Sequence, residues 1–461
     1  MDPASSFNII GDANSSGGLV DGKQGNIVGL NGTGVLPIDS ILDTDFTYNG
    51  GSTGPTHALV PGSPALDSGS LALAVDSNGD PLVYDQRGEG FPRVSGPGVD
   101  RGAFELQIGP DTIPNDVGGF NHATKTWHLG ISDINDFSDT PGPAWDSAFT
   151  WETLTGDVNS DGLMDLIGRQ RENGSWHVEI NNGDGTFTNT PFGGWARDNV
   201  AGWRHVQVAD VNGDGNDDVI GLTISGYWWA AVSDGTRFTN QYMGRWSGTA
   251  YPQVIVGDYN GDGMDDILGY RPATGQWWAG ISTGTRWNTR LVANWNPLVP
   301  VSHLNTGDIN GDGRPDLIAQ AGQGYWYYLS YVSNQAFSTT YAGRTTTDLA
   351  ANNAPMVDDF NGDGLDDLAI VNSRREVWVK LGTGGMLSAT AFWDTAPANR
   401  SLVNTGDFNS DGRADLLYFT PNTGGWIALL GSEDHFTPNA FGTWTALPFS
   451  GFEDYEVGNF G

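Results

Sequence analysis

From about residue 116 onward, short runs of aromatic and β-branched residues alternate with small ones, as in Q-W-W-A-G-I-S at 276–282. An alternation of period two marks a half-buried β-strand. Each such run is followed by a Gly-rich turn, for example S-D-G-T-R at 233–237, and then by a second run. The pattern recurs about every 50 residues, with roughly four short strands to a unit. A period of that size predicts a propeller blade.

Each unit also carries one acidic loop. The loops read D-V-N-S-D-G-L-M-D from Asp157, D-V-N-G-D-G-N-D-D from Asp210 and D-Y-N-G-D-G-M-D-D from Asp258. The others are D-I-N-G-D-G-R-P-D from Asp308, D-F-N-G-D-G-L-D-D from Asp359 and D-F-N-S-D-G-R-A-D from Asp407. Positions 1, 3 and 5 offer oxygens at alternate residues of a tight loop, Gly at position 6 permits the turn, position 7 has its carbonyl, and Asp at position 9 closes the set. Calcium takes six to eight such hard oxygen ligands. An EF-hand would close instead with Glu at position 12. Here that position holds Gly168, Gly221, Gly269, Ala319, Ile370 and Tyr418.

The expected ligands are Asp157, Asn159, Asp161 and Asp165; Asp210, Asn212, Asp214 and Asp218; and Asp258, Asn260, Asp262 and Asp266. The remaining three sets are Asp308, Asn310, Asp312 and Asp316; Asp359, Asn361, Asp363 and Asp367; and Asp407, Asn409, Asp411 and Asp415. About six Ca²⁺ are therefore expected. An Asx turn that binds nothing accounts for a lone loop of this kind but poorly for six in register.

Eleven residues past each closing Asp stands Trp176, Trp229, Trp277, Tyr327, Trp378 or Trp426, and a second Trp (Trp195, Trp246, Trp295, Trp393, Trp444) usually follows. The first set is expected to form inter-blade core. Exposed members of the Trp pairs, such as Trp228 and Trp278, are candidate stacking platforms. Asp116 to Trp127 repeats the eleven-residue spacing, T-K-T-W-H-L-G-I-S at 124–132 matches the strand quoted above, and Trp145 fits the second Trp. This predicts most of a seventh blade, whose loop would start near Ile108, Pro110 or Thr112 and lacks calcium ligands. Y-E-V-G-N-F-G at 455–461 resembles a strand that precedes a loop. It is expected to pair with the blade holding Trp127 and close the ring, which removes exposed sheet edges.

The first hundred residues have no Trp and are rich in Gly, Ser, Asn and Asp. N-I-I-G from Asn8 and N-I-V-G from Asn26 read as strand corners in successive coils of a solenoid. T-H-A-L-V-P-G-S-P-A-L-D-S-G at 56–69, D-Q-R-G-E-G-F-P-R at 85–93 and D-R-G-A-F-E at 100–105 resemble the C-terminal end of pectin-lyase-like right-handed parallel β-helices of surface proteins. The resemblance implies a β-helix remnant over 1–107 with the propeller at 108–461, I-G-P-D-T-I-P at 108–114 acting as linker. Asp67, Asp85, Arg87, Arg93, Asp100 and Glu105 are read as a salt-bridge cap rather than a catalytic cluster, and D-S-N-G-D at 76–80 as a plain turn.

The chain of 461 residues has no Cys, which excludes a disulfide framework and thiolate metal sites. Its formal charge is −34, of which roughly half comes from the loop carboxylates. No basic stripe exists to neutralise phosphates, so nucleic acid is excluded as a partner. No apolar run approaches the length of a membrane span. M-D-P-A-S-S-F-N-I-I is not a signal peptide. Because calcium modules of this kind suit the millimolar calcium outside cells, Met1 is read as an internal start of a longer chain.

The six loops with their W-x-x-x-x-S/N-x-G strands resemble the FG-GAP/VCBS repeats of integrin α-subunit propellers and bacterial surface proteins. Fungal seven-bladed propeller lectins use similar repeats and bind sugars between blades, which implies a lectin role but transfers no sugar-contact residue. The expectation is an all-β chain: a seven-bladed β-propeller, six calcium-loop blades plus one split blade, after a short parallel β-helix remnant. Its expected role is an extracellular, calcium-binding, non-catalytic module for glycans or surface proteins, monomeric or part of a larger chain. The alternatives are a structural spacer or an accessory domain of a polysaccharide lyase or hydrolase. Catalysis needs a unique acid–base constellation, whereas His57, His122, His128, His177, His205, His303 and His435 are scattered.

Overall fold

The computed structural model describes residues 114–460, apart from 133–135, 248, 334–335, 346–354 and 445–451. In the first part it describes 6–30, 32–38 and short stretches up to 102. Contacts divide the chain into two compact units, Met1–Thr112 and Ile113–Gly461.

In the first unit the two solenoid-like strings lie side by side. Ile9–Ile10 pairs in parallel with Ile27–Val28, Ile9 opposite Ile27 and Ile10 opposite Val28. Asn8 and Asn26 form a rung beside them, with Asn8 Nδ2 donating to Asn26 Oδ1 at 2.8 Å. Ile41, Leu59 and Ala65 make a small core against Ile9, Leu36 and Leu42. Asp85 and Arg93 are buried, and Arg93 Nη2 donates to the Gly102 carbonyl at 3.1 Å. Asp67, Arg87, Asp100, Glu105, the 76–80 turn and residues 108–113 of the linker lie outside the described residues.

The second unit is a seven-bladed β-propeller. Blade 1 comprises Trp151–Gly156, Asp165–Gln170, Ser175–Asn181 and Phe187–Gly194. Blade 2 comprises Arg204–Ala209, Asp218–Leu222, Tyr227–Ser233 and Phe238–Arg245. Blade 3 comprises Val254–Gly257, Asp266–Arg271, Gln276–Ser282 and Trp287–Asn294. Blade 4 comprises Val301–Gly307, Asp316–Ala321, Tyr325–Ser333 and Ala336–Arg344. Blade 5 comprises Met356–Asp358, Asp367–Val371, Glu376–Lys380 and Ala391–Thr395. Blade 6 comprises Ser401–Gly406, Asp415–Thr420, Gly425–Gly431 and Phe436–Thr443.

Blade 7 is split as expected. Phe452–Gly458 supplies its first strand and pairs antiparallel with Asp116–Asn121, which continues into Thr126–Ser132 and Phe137–Ala144. First strands touch first strands from blade 1 round to blade 7 and back to blade 1, so the ring closes. The second strands are the dry layer: Asp165–Gln170 and Asp316–Ala321 are buried along their whole length. A strand buried on both faces reads as a near-continuous apolar run, and D-L-I and D-V-I at the loop exits show it.

The eleven-residue spacing marks core in only part of the ring. Trp127, Trp176, Trp277 and Trp426 are fully buried, but in blades 2, 4 and 5 the buried residue comes one earlier, at Trp228, Trp326 and Val377. The turn between strands two and three is one residue shorter there. Leu222 pairs with Trp228, whereas in blade 3 Tyr270 pairs with Trp277. One residue reverses the face of a side chain, so Trp229, Tyr327 and Trp378 look outward and are half-buried. Trp228, expected as an exposed platform, is 0% exposed, while Trp278 keeps a partly exposed face. His128 and His177 occupy one equivalent blade position, opposite Gly119 and Gly168.

Candidate metal loops and inter-blade clefts

All six loops share one hydrogen bond at position 1. The position-1 carboxylate turns inward, and its Oδ2 accepts from the N–H of the position-6 glycine at 2.7–2.9 Å in every copy. Those glycines have φ between 76° and 85°, a region that penalises any residue with a Cβ. The position-5 carboxylate accepts from the N–H of position 7, as from Leu163 to Asp161 Oδ1 at 3.0 Å. The closing Asp is buried in the sheet. Asp165 accepts from Asn181 N–H at 2.8 Å and from Val158 N–H at 3.1 Å, and Asp218, Asp367 and Asp415 repeat this pairing. Burial, and then the facing position-1 and position-5 carboxylates, push the closing carboxyls up to about 7 at Asp165 and Asp316 and about 8 at Asp218, Asp266 and Asp367. Burial raises Asp415 as well.

Sequence spacing thus brings positions 1, 3, 5 and 9 of each loop into one turn. Among the described residues, however, no three His, Asp or Glu side chains gather closely enough to hold a metal ion. The carboxylates instead satisfy loop N–H groups. The donor set, all oxygen with mutually repelling carboxylates, fits a hard divalent cation in kind, and ligation requires these side chains to rotate toward one centre.

The ligand spacing does not mark a second carboxylate set in these loops. The position-8 residue of one loop latches onto position 1 of the preceding loop. Asp217 Oδ2 accepts from Asp157 N–H at 2.8 Å, and Asp217 N–H donates back to the Asp157 carbonyl at 2.7 Å. Asp265 with Asp210, and Asp366 with Asp308, repeat the pair. In blade 7 Asn115 takes the role, its Oδ1 accepting from Asp407 N–H at 2.7 Å. The D-D doublets at the loop exits were the available signal. Burial raises Asp265 to about 6. Asp265→Asn, which keeps the acceptor as Asn115 does, should leave urea stability in chelator unchanged or higher. Asp265→Ala should lose about 1–2 kcal/mol by stranding the Asp210 N–H. Equal losses in the two variants would rule out the latch.

Four of the seven seams between blades are built by tryptophan against glycine. The N–H of Trp145, Trp195, Trp246, Trp295 and Trp444 donates to the carbonyl of Lys125, Gly174, Gly226, Gly275 and Gly424 respectively. A Cβ on Gly168, Gly221, Gly269 or Gly119 would come within 2.6–2.9 Å of the rings of Trp145, Trp195, Trp246 and Trp444. This close approach explains the glycines at position 12. Trp393, expected in the same set, is instead a buried member of an outer strand.

Antiparallel strands place the acidic loops on one face of the ring and the connections between blades on the other. Clefts open at that second face. The one between blades 2 and 3 is lined by Arg245, Trp246, Tyr251, Arg271, Trp278 and Thr289. Its neighbour between blades 3 and 4 is lined by Trp295, Val299, Ala321, Tyr327 and Thr339. Arg271 lies 5.6 Å from the Tyr251 ring centre, and Trp246 Nε1 donates to Thr289 Oγ1 at 3.0 Å.

The FG-GAP-like repeat family model matches residues 157–221, 210–269 and 359–418, each running from one acidic loop to position 12 of another loop. The chain carries FG-GAP-like repeats. No curated protein matches it. Among solved structures, the FG-GAP-like propeller is similar to an Agrocybe aegerita lectin that recognises non-reducing terminal N-acetylglucosamine, with 16% identity and a TM-score of 0.62 over 76% of this chain and 96% of that one. A functionally unknown protein from Desulfotomaculum acetoxidans aligns with 9% identity and a TM-score of 0.43 over 75% of this chain and 99% of that one. At these identities the likeness concerns fold alone. Among the described residues, no helix is long and apolar enough to cross a membrane.

Proposed function

We propose that this chain is an extracellular, calcium-stabilised, non-catalytic recognition module whose propeller binds glycans in the clefts between blades. The observation that carries this is the cleft between blades 2 and 3, where the half-exposed Trp278 and the Tyr251 ring stand beside Arg245, Arg271 and Thr289. Sugar rings offer an apolar C–H face and a rim of hydroxyls, and a concave site with an aromatic wall and a few polar groups suits both. Similar clefts at equivalent seams allow several weak contacts to add by multivalency. That a lectin shares the fold is a further support. Position-1, -5 and -9 Asp with position-3 Asn would hold the calcium ions, which would offset the loop charge on the opposite face and leave the clefts free. The first unit is read as the last coils of a right-handed β-helix, supported by its parallel Ile9–Ile10 and Ile27–Val28 pair.

A glycan array probed with the full chain, in millimolar calcium and in chelator, tests the reading. Binding to a defined glycan class, weakened at least tenfold by Trp278→Ala with an unchanged melting temperature, is the expected result. An array empty in calcium ends the glycan reading.

A further inference from the structure

Two seams depart from the tryptophan-on-glycine rule in both partners: the one between blades 4 and 5, with Thr345 at the Trp position and Ile370 at position 12, and the one between blades 5 and 6. Between blades 5 and 6 the Trp position is Ala396, whose N–H donates to the Arg375 carbonyl as Trp295 N–H does to Gly275. The facing residue, Gly in four other blades, is Tyr418. This seam holds a cavity of about 620 Å³ lined by Asn372, Arg375, Ala396, Arg400, Ser401 and Tyr418, among others.

The cavity wall holds donors without acceptors. Among the described residues, Arg400 Nη1 and Tyr418 Oη are both buried and find no hydrogen-bond partner. Tyr418 is only 2% exposed. Buried donors in this state cost free energy unless a ligand or water meets them. Burial, then the charge of Asp394, holds the Tyr418 phenol above its usual range, so it remains a donor. Arg375, whose Nη1 donates to the Ala396 carbonyl at 2.7 Å, adds a second guanidinium from a turn position with φ of 67° where five other blades use glycine. In a chain of net charge −34, no carboxylate among the described residues forms an ion pair with Arg375 or Arg400. Two guanidinium groups and a phenol hydroxyl around one cavity match a planar, bidentate acceptor.

We propose that the cavity between blades 5 and 6 takes the carboxylate of an acidic sugar residue, a uronic acid within a polysaccharide. The inference rests on the glycan reading above and assigns this seam its chemical class.

Titration calorimetry on the full chain, in calcium buffer at fixed ionic strength, compares sodium glucuronate, glucose and sodium sulfate. Glucuronate should bind measurably and glucose at least tenfold more weakly. Arg400→Met should weaken glucuronate binding at least tenfold and Tyr418→Phe several-fold. Arg375→Gly installs the residue that five blades already use, so it should keep the melting temperature and still weaken binding. Ala396→Trp combined with Tyr418→Gly rebuilds the common seam and should abolish binding while the ring stays folded. Glucose binding as tightly as glucuronate, or glucuronate binding unchanged in Arg400→Met, overturns the inference. Sulfate binding equal to glucuronate reduces the cavity to a bare anion site and overturns it too. Array binding of neutral glycans without glucuronate binding here removes this inference alone. An empty array with glucuronate still bound removes the cleft reading and leaves the cavity standing.

Discussion

Removing residues 452–461 is expected to lower the melting temperature by at least about 10 °C and to cause association. These ten residues supply the first strand of blade 7 and touch the first strands of blades 6 and 1. Phe460, 1% exposed, donates its N–H to Asp116 Oδ2 at 2.7 Å and accepts from Asn181 Nδ2 at 3.0 Å. The Met164 N–H donates to the Asn459 carbonyl at 2.7 Å. Phe452 and Phe460 are buried, and Tyr455 and Val457 pack on the core of blade 6. Each such side chain contributes roughly 1.5–3 kcal/mol on burial. Losing four, and opening the Asp116–Asn121 edge to pairing with another chain, far exceeds the effect of trimming a frayed end. Calorimetry and light scattering on the truncated protein check this. A melting temperature within about 2 °C of the full chain, with no change in size, would mean that the strand does not hold the ring together.

In chelator the protein should become less stable as pH rises from 5 to 8, and millimolar calcium should abolish that trend. The closing carboxyls are raised in the fold to about 7 or 8 at Asp165, Asp218, Asp266, Asp316 and Asp367, against about 3.9 in an unfolded chain. A raised carboxyl takes up a proton on folding. Its stabilising contribution is therefore complete below about pH 4 and is lost as pH climbs through the folded value. With five such groups, the calcium-free melting temperature should fall by several degrees or more. A cation in each loop reverses the sign, because it stabilises the ionised form that burial penalises. At ten times Kd each site adds about 1.4 kcal/mol. Melting curves at pH 5, 6, 7 and 8, with calcium or chelator, read this directly. If stability without calcium rises over that range, or calcium changes nothing, the loops are turns and the calcium reading fails.

What the sequence determined alone was whatever repeats. Six Asp-Asn-Asp-Gly loops in register, with period-two apolar runs between them, gave the blade size and the all-β class. The match of Asp116 to the closing Asp of the loops, and of Y-E-V-G-N-F-G to a first strand, was enough to find the split blade, because register is local and each strand carries its own pattern. The Gly-6 turn was equally legible, since only backbone sterics decide it.

What the tertiary structure decided was every face and every partner across a seam. One residue fewer in a turn sends Trp228 into the core and Trp229 outward, which a fixed eleven-residue count from the closing Asp does not reveal. The glycines at 168, 221 and 269 show only that position 12 is small. That a tryptophan from the preceding blade fills the space is a contact between residues 23 to 26 apart in sequence. The latch from Asp217 to Asp157, sixty residues apart, is longer still. Local sterics and alternation are written within a few residues of where they act. Packing across a seam depends on both walls at once, so the exchange of Trp and Gly for Ala396 and Tyr418 gains its meaning only when blades 5 and 6 stand side by side.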